Sequence, residues 1–140
     1  MPGLKNHPLI QQLLALGLPP DDFAVFGSGP MMAHGIKESR DLDIIARGAA
    51  WSLAQALGQQ KKGGYGGNKI GLADGLIEIF DSWGPGAWDA DELIDTAEVI
   101  EGIRFVALQN VLKWKKLMGR PKDAEHIGLI ETYLAGRQGR

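Results

Sequence analysis

Residues 24–45 read AVFGSGPMMAHGIKESRDLDII, and the order of features along this stretch decides the fold. An apolar run ends in Gly27-Ser28, a short segment follows, and Arg40-Asp41-Leu42-Asp43-Ile44-Ile45 then sets two carboxylates two residues apart. Side chains alternate across a strand, so Asp41 and Asp43 are expected on one face, with Leu42 and Ile44 on the other. Two carboxylates aimed into one small space repel each other unless a cation lies between them. Oxygen ligands of this kind suit magnesium, which pairs one or two carboxylates with substrate phosphates. Phosphoryl or nucleotidyl chemistry is the expectation.

Working outward, 140 residues fit one domain, with a core at 22–105 and C-terminal helices at 107–135. A hydrophobic share of 44% beside 23% charged residues is that of an ordinary soluble protein. No apolar run reaches the roughly 18 residues of a membrane span. The opening MPGLKNHPLI does not have the pattern of a secretory leader, and no cysteine is present for disulfides or thiolate metal sites. A cytoplasmic protein with no membrane partner is expected. The net charge of −2 is unevenly divided. Residues 1–103 carry seven basic and fourteen acidic side chains, whereas 104–140 carry eight and three. Blanket electrostatic binding to nucleic acid is therefore disfavoured.

Helical spacing of Leu9, Ile10, Leu13, Leu14 and Leu16 predicts a helix over 8–17, between Pro8 and Gly17. Phe23 to Phe26 reads as a strand, Pro30 to His34 as a short helix, Asp41 to Ala46 as a second strand and Ala49 to Leu57 as a helix. KKGGYGG (61–67) has the glycine density of a loop or hairpin turn. Asn68–Leu72 and Leu76–Phe80 form a hairpin around Asp74-Gly75, and residues 81–91 form an irregular connection. A small hairpin at 99–105 and helices at 107–118 and 123–134 complete the chain. The expected class is α+β, a small mixed sheet of four to five strands with helices packed on it.

A turn such as Gly27-Ser28, between a strand and a helix, suits phosphate oxygens: glycine permits close approach and serine adds a donor. Glu78, between Ile77 and Ile79, is an acid in a predicted strand, a costly place for a charge unless it faces water or a cation. Placed beside 41–46, it completes three carboxylates for a metal pair about 4 Å apart. Asp81 is the alternative third acid, but period-two register sets it opposite Glu78. Asp74 reads as a turn residue and Asp123 as a helix cap. Arg40 and Lys37 read either as solvated loop charges or as contacts to a triphosphate, and Lys69 could approach the site from the neighbouring strand. Lys113 and Lys116 share a helix face, and Trp83 and Trp88 are either an aromatic rim for a base or core. His34 reads as a helix-end structural histidine, while His7 and His126 have no partner at metal-ligand spacing.

These residues carry a resemblance. Phe26-Gly27-Ser28, Asp41-Leu42-Asp43-Ile44 and Ile77-Glu78-Ile79, in this order and spacing, resemble the nucleotidyltransferase superfamily of the DNA polymerase β type. Small bacterial uncharacterised and AbiEii-like nucleotidyltransferases are the nearer likeness, and Leu108–Lys113 with Gly119–Asp123 is similar to their helical tail. The likeness spans most of 22–135. It implies that Gly27 and Ser28, with Arg40 and Lys69, bind an NTP such as ATP. It further implies that Asp41, Asp43 and Glu78 are catalytic and hold two magnesium ions, Glu78 helping to activate an attacking hydroxyl. The third acid is Glu where the superfamily more usually has Asp, and Ser39-Arg40 stands where the minimal antitoxin members have Ser-Asp. The implied activity is transfer of NMP from an NTP to an unknown acceptor, whether protein, RNA or small molecule. The alternative is a catalytically degenerate nucleotide-binding or protein-interaction module, or one half of a toxin–antitoxin pair with a partner protein.

Overall fold

Two four- and five-residue apolar segments form the centre of the sheet. In the computed structural model, which describes residues 3–138, β1 (Phe23–Phe26) is buried at every position and pairs antiparallel with β2 (Leu42–Ala46). Around them the chain adds β3 (Gln60–Lys62), β4 (Asn68–Leu72), β5 (Ile77–Phe80), β6 (Glu98–Ile100) and β7 (Ile103–Phe105). The sheet order is β3-β4-β5-β2-β1-β7-β6, with β2–β5 and β1–β7 parallel and the other pairs antiparallel. Six helices complete the described residues: α1 (Pro8–Ala15), α2 (Gly29–Ala33), α3 (Gly48–Leu57), α4 (Ala90–Asp95), α5 (Leu108–Met118) and α6 (Pro121–Gln138).

Strand parity sorts the core into two layers. Val25, Leu42, Ile44, Ile70, Ile77, Ile79 and Phe105 turn one way and bury against Leu9, Ile10 and Leu13 of α1 and Ala50 and Ala54 of α3. Ala24, Phe26 and Ile45 turn the other way, under Met31 of α2, Leu93 and Ile94 of α4, Val111 and Trp114 of α5 and Ile130 of α6. The result is helices on both faces of a mixed sheet. On this second face the register sets Phe26 beside Asp43 and Asp43 beside Glu78. Apolar cover therefore gives way to carboxylates at the end of β1, β2 and β5.

The sheet has seven strands rather than the expected four to five. β3 lies in the segment read as loop or turn, and its three residues carry too little alternation to read securely, whereas the hairpin expected at 99–105 is present as β6 and β7 and joins the same sheet. Glu101 and Gly102, both at positive φ, make the β6–β7 turn. The segment 81–91, expected to be irregular, runs into α4 at Ala90, whose start is fixed by Asp89 accepting from the Asp91 and Glu92 amides. Several boundaries differ as well, two of them near the candidate site. Asp41 precedes β2 instead of opening it, and α6 begins at Pro121, after the left-handed Gly119 that ends α5.

Candidate acidic site

The turn after β1 is shaped around Asp43. Gly27 takes φ +60, and a Cβ built there would stand 2.7 Å from the Asp43 Oδ2, closer than a real side chain allows. Glycine is required here for an approach to a carboxylate of the protein itself. Ser28 follows as the first residue before α2, and its side chain makes no capping hydrogen bond. On the other side of α2 the buried Ser39 hydroxyl donates to the Asp41 carbonyl over 2.6 Å, fixing the chain as it approaches β2.

Asp43 and Glu78 are register partners on adjacent parallel strands, so the structure brings two of the three acids together on one face. Asp41, exposed just ahead of β2, adds its charge from the side. Burial, and then the Asp41 and Glu78 carboxylates, push the Asp43 pKa up to about 7; Lys69 and Lys122 offset part of this. A carboxyl held protonated almost to neutrality by burial, with other carboxylates beside it, belongs to a donor set that a divalent cation would relieve. Glu78, however, pairs with Lys69, Nζ to Oε2 3.1 Å, both side chains one-third exposed. With Glu78 drawn to β4, no three carboxylate or histidine groups among the described residues are gathered closely enough to hold a metal ion.

Beside the acids lies a cavity of about 190 Å³, lined by Asp43, Glu78, Phe80, Trp83, Trp114 and Arg120 and by the β3–β4 loop with Tyr65. Its cation is rigidly mounted. Arg120 donates through Nε and Nη2 to the two carboxylate oxygens of Asp123, at 2.7 and 2.9 Å, and its backbone N–H to Oδ2 at 3.0 Å. Asp123 and Lys115, both fully buried, face each other at 3.5 Å. Burial works against the Asp123 carboxylate, but the Arg120 hydrogen bonds and the Arg120 and Lys115 charges outweigh it and hold the pKa at about 2. Asp123 thus does more than cap a helix: it joins Lys115 of α5 to Arg120 in the turn between the helices.

The other candidates separate clearly. Arg40 is exposed and lies outside the cavity lining, whereas Lys69 stands at Glu78. Trp83 packs in the core, stacking on Phe26 with ring centroids 4.3 Å apart, and also lines the cavity. Trp88 sits edge-on to Phe26 with Lys113 over its ring, and Lys116 pairs with Glu131, so neither lysine faces the acids. Asp81 accepts from the Asn68 amide and side chain, and Asp74 is a left-handed turn residue. His34 is structural, bridging Glu98 at 2.8 Å and the Tyr133 hydroxyl at 3.2 Å. Tyr65, Trp114 and Arg120 were not among the sequence candidates. Their one trace is compositional, a glycine-flanked tyrosine and the Gly119-Arg120-Pro121 break.

No family model, no curated protein and no solved structure matches this chain.

Proposed function

We propose that this protein is a magnesium-dependent nucleotidyltransferase that moves an NMP group from an NTP to an acceptor hydroxyl. The observation that carries the reading is the grouping of Asp43 with Glu78 in register and Asp41 beside them, at a buried position where burial and then these two charges raise the Asp43 pKa to about 7. Asp41 and Asp43, with Glu78 once released from Lys69, are the residues that would hold magnesium. Bound there, the metal supplies charge neutralisation at the α-phosphate. Gly27 and Ser28 are assigned to the triphosphate, with Arg40 and Lys69 as candidate counter-charges. The acceptor oxygen bonds to the α-phosphorus, the bond from that phosphorus to the bridging oxygen breaks, and pyrophosphate leaves with the electron pair. Glu78 is assigned to take the hydroxyl proton. Incubation with α-labelled NTPs, magnesium and cell extract is expected to label an acceptor, and Asp43→Asn to abolish it. Equal labelling by both proteins refutes the assignment.

One observation favours a second reading, a nucleotide-binding module without catalysis: Lys69 neutralises Glu78, which leaves the third acid engaged within the protein. Calorimetry with ATP separates the two. ATP binding indifferent to magnesium, with no turnover, supports the module; magnesium-dependent binding supports the enzyme.

A further inference from the structure

The cavity beside the acids borders Glu78 and Asp43 but not Gly27, Ser28 or Asp41. In the sheet, Glu78 lies on β5 and Gly27 follows β1, on opposite sides of β2. The cavity therefore opens on the side of the centre away from the assigned phosphate turn. Four of its lining residues are aromatic: Tyr65, Phe80, Trp83 and Trp114. The Trp83 indole N–H is buried and has no hydrogen-bond partner among the described residues, and a buried orphan donor of this kind is normally completed by an acceptor. Trp114 is locked by its Nε1–H donating to the Gly84 carbonyl over 3.0 Å, and the Arg120 guanidinium lies 5.6 Å from its ring centroid. A space of about 190 Å³ is well under the roughly 300–1,000 Å³ that engulfs a drug-sized ligand, so it takes one ring system and not a whole NTP. Beyond it, Lys61 and Lys69 stand opposite each other on β3 and β4, on the same sheet face as Glu78.

We infer that this cavity is the acceptor subsite and that the acceptor is a nucleotide. Its base enters between the Tyr65 loop and Trp114, its free ribose hydroxyl lies at Glu78, and its phosphate points to Lys61 and to Lys69, which in this arrangement serves the acceptor and not the triphosphate. Aromatic faces receive a base of any sequence, and the lysines supply the matching charge. The inference rests on the nucleotidyl-transfer reading of the acids. In the transfer the ribose oxygen bonds to the α-phosphorus of the NTP, its proton passes to Glu78, and pyrophosphate departs.

The test is quenching of intrinsic tryptophan fluorescence by AMP, GMP, CMP and UMP in EDTA, with ribose 5-phosphate as the probe without a base. Saturable quenching by a nucleoside monophosphate but not by ribose 5-phosphate is expected. Tyr65 is 62% exposed, so Tyr65→Ala leaves the core intact. It should weaken binding at least about fivefold, the lower end of the effect of losing one stacked ring, and Tyr65→Phe should restore it. A short single-stranded RNA with a free 3′ hydroxyl, run in parallel, tells a free nucleotide from a strand terminus: preference for either identifies the source. Absence of quenching by every nucleotide and by the RNA, or equal affinity in Tyr65→Ala, overturns the subsite. A non-hydrolysable ATP analogue with magnesium is expected to bind alongside AMP; displacement of AMP assigns the cavity to the donor base and overturns the acceptor role. Asp41→Asn distinguishes the two claims, because Asp41 is outside the cavity lining. Nucleotide quenching retained with labelling lost upholds both, whereas quenching without labelling in the wild type refutes the transfer reading and the acceptor role with it, and leaves the cavity as a nucleotide-binding site.

Discussion

Asp43 and Glu78 occupy the same register position on neighbouring parallel strands, and Lys69 holds Glu78 from the strand beyond. Acid next to acid at the end of an otherwise apolar sheet face disfavours the ionised state of the more buried Asp43. The sheet tolerates it because burial keeps Asp43 largely protonated up to about pH 7 while Lys69 compensates Glu78.

The metal-free protein should therefore lose stability as pH rises. Asp43 is raised from 3.8 to about 7 in the fold, so below pH 4 both states are protonated and the group contributes nothing. Between pH 4 and 7 the unfolded chain ionises first, and the fold is progressively disfavoured. At about 1.4 kcal/mol per unit the full difference is at most ~4 kcal/mol. Thermal melts of Asp43→Asn in EDTA should exceed wild type by several degrees at pH 8 and match it near pH 4. Magnesium at pH 8 should raise the wild-type melt alone. Parallel curves for the two proteins across this range contradict the assignment.

Gly27→Ala should damage the site and the fold together. The backbone conformation at φ +60 costs a non-glycine residue about 1–3 kcal/mol, and the new Cβ meets the Asp43 Oδ2 as well. Urea unfolding is expected to show a loss in this range. Any magnesium-dependent labelling should fall further than the loss of folded protein explains. Gly71→Ala, where nothing lies within 4 Å of the added atom, is the control and should be nearly silent.

Lys69→Gln should tighten magnesium binding, since it frees Glu78 from its one ion pair. An ion pair exposed to this degree is worth no more than about 1 kcal/mol, so the gain is limited to roughly fivefold. Magnesium titration followed by thermal shift measures it. Weaker binding in the variant would contradict the view that Lys69 competes with the metal for Glu78.

The centre of this fold was readable and its rim was not, for physical reasons. Phe23–Phe26, Leu42–Ala46 and Ile77–Phe80 alternate or run apolar over four or five residues, enough for strand periodicity, and their order brought Asp43 and Glu78 within one argument. Three-residue β3 lies in a basic, glycine-rich segment, and its strand character comes from pairing with β4 instead of its own composition. The cavity was hidden for a related reason. Tyr65, Trp83, Trp114 and Arg120 are contributed by four separate segments, and only the docking of α5 and α6 on the sheet face assembles them. Asp123 looked like a cap because capping and ion pairing use the same carboxylate, and sequence spacing cannot reveal Lys115 across the helix pair.

That buried pair should make Asp123 the most sensitive position of the C-terminal helices. Replacing it with Ala leaves Lys115 uncompensated at 1% exposure, a situation that costs about 3–5 kcal/mol. Asp123→Asn retains the size but not the charge and should lose somewhat less. The pH sign is opposite to that of Asp43. With a folded pKa of about 2 against 3.8, the Asp123 contribution is fully present above pH 4 and lost as pH falls toward 2. Urea midpoints measured from pH 7 down to 2 should converge for wild type and Asp123→Asn at the acid end. Because Arg120 takes its orientation from the same carboxylate, nucleotide quenching of the cavity tryptophans should weaken in Asp123→Asn even where the protein remains fully folded. A variant that melts early yet binds nucleotide like wild type would separate Arg120 from the cavity.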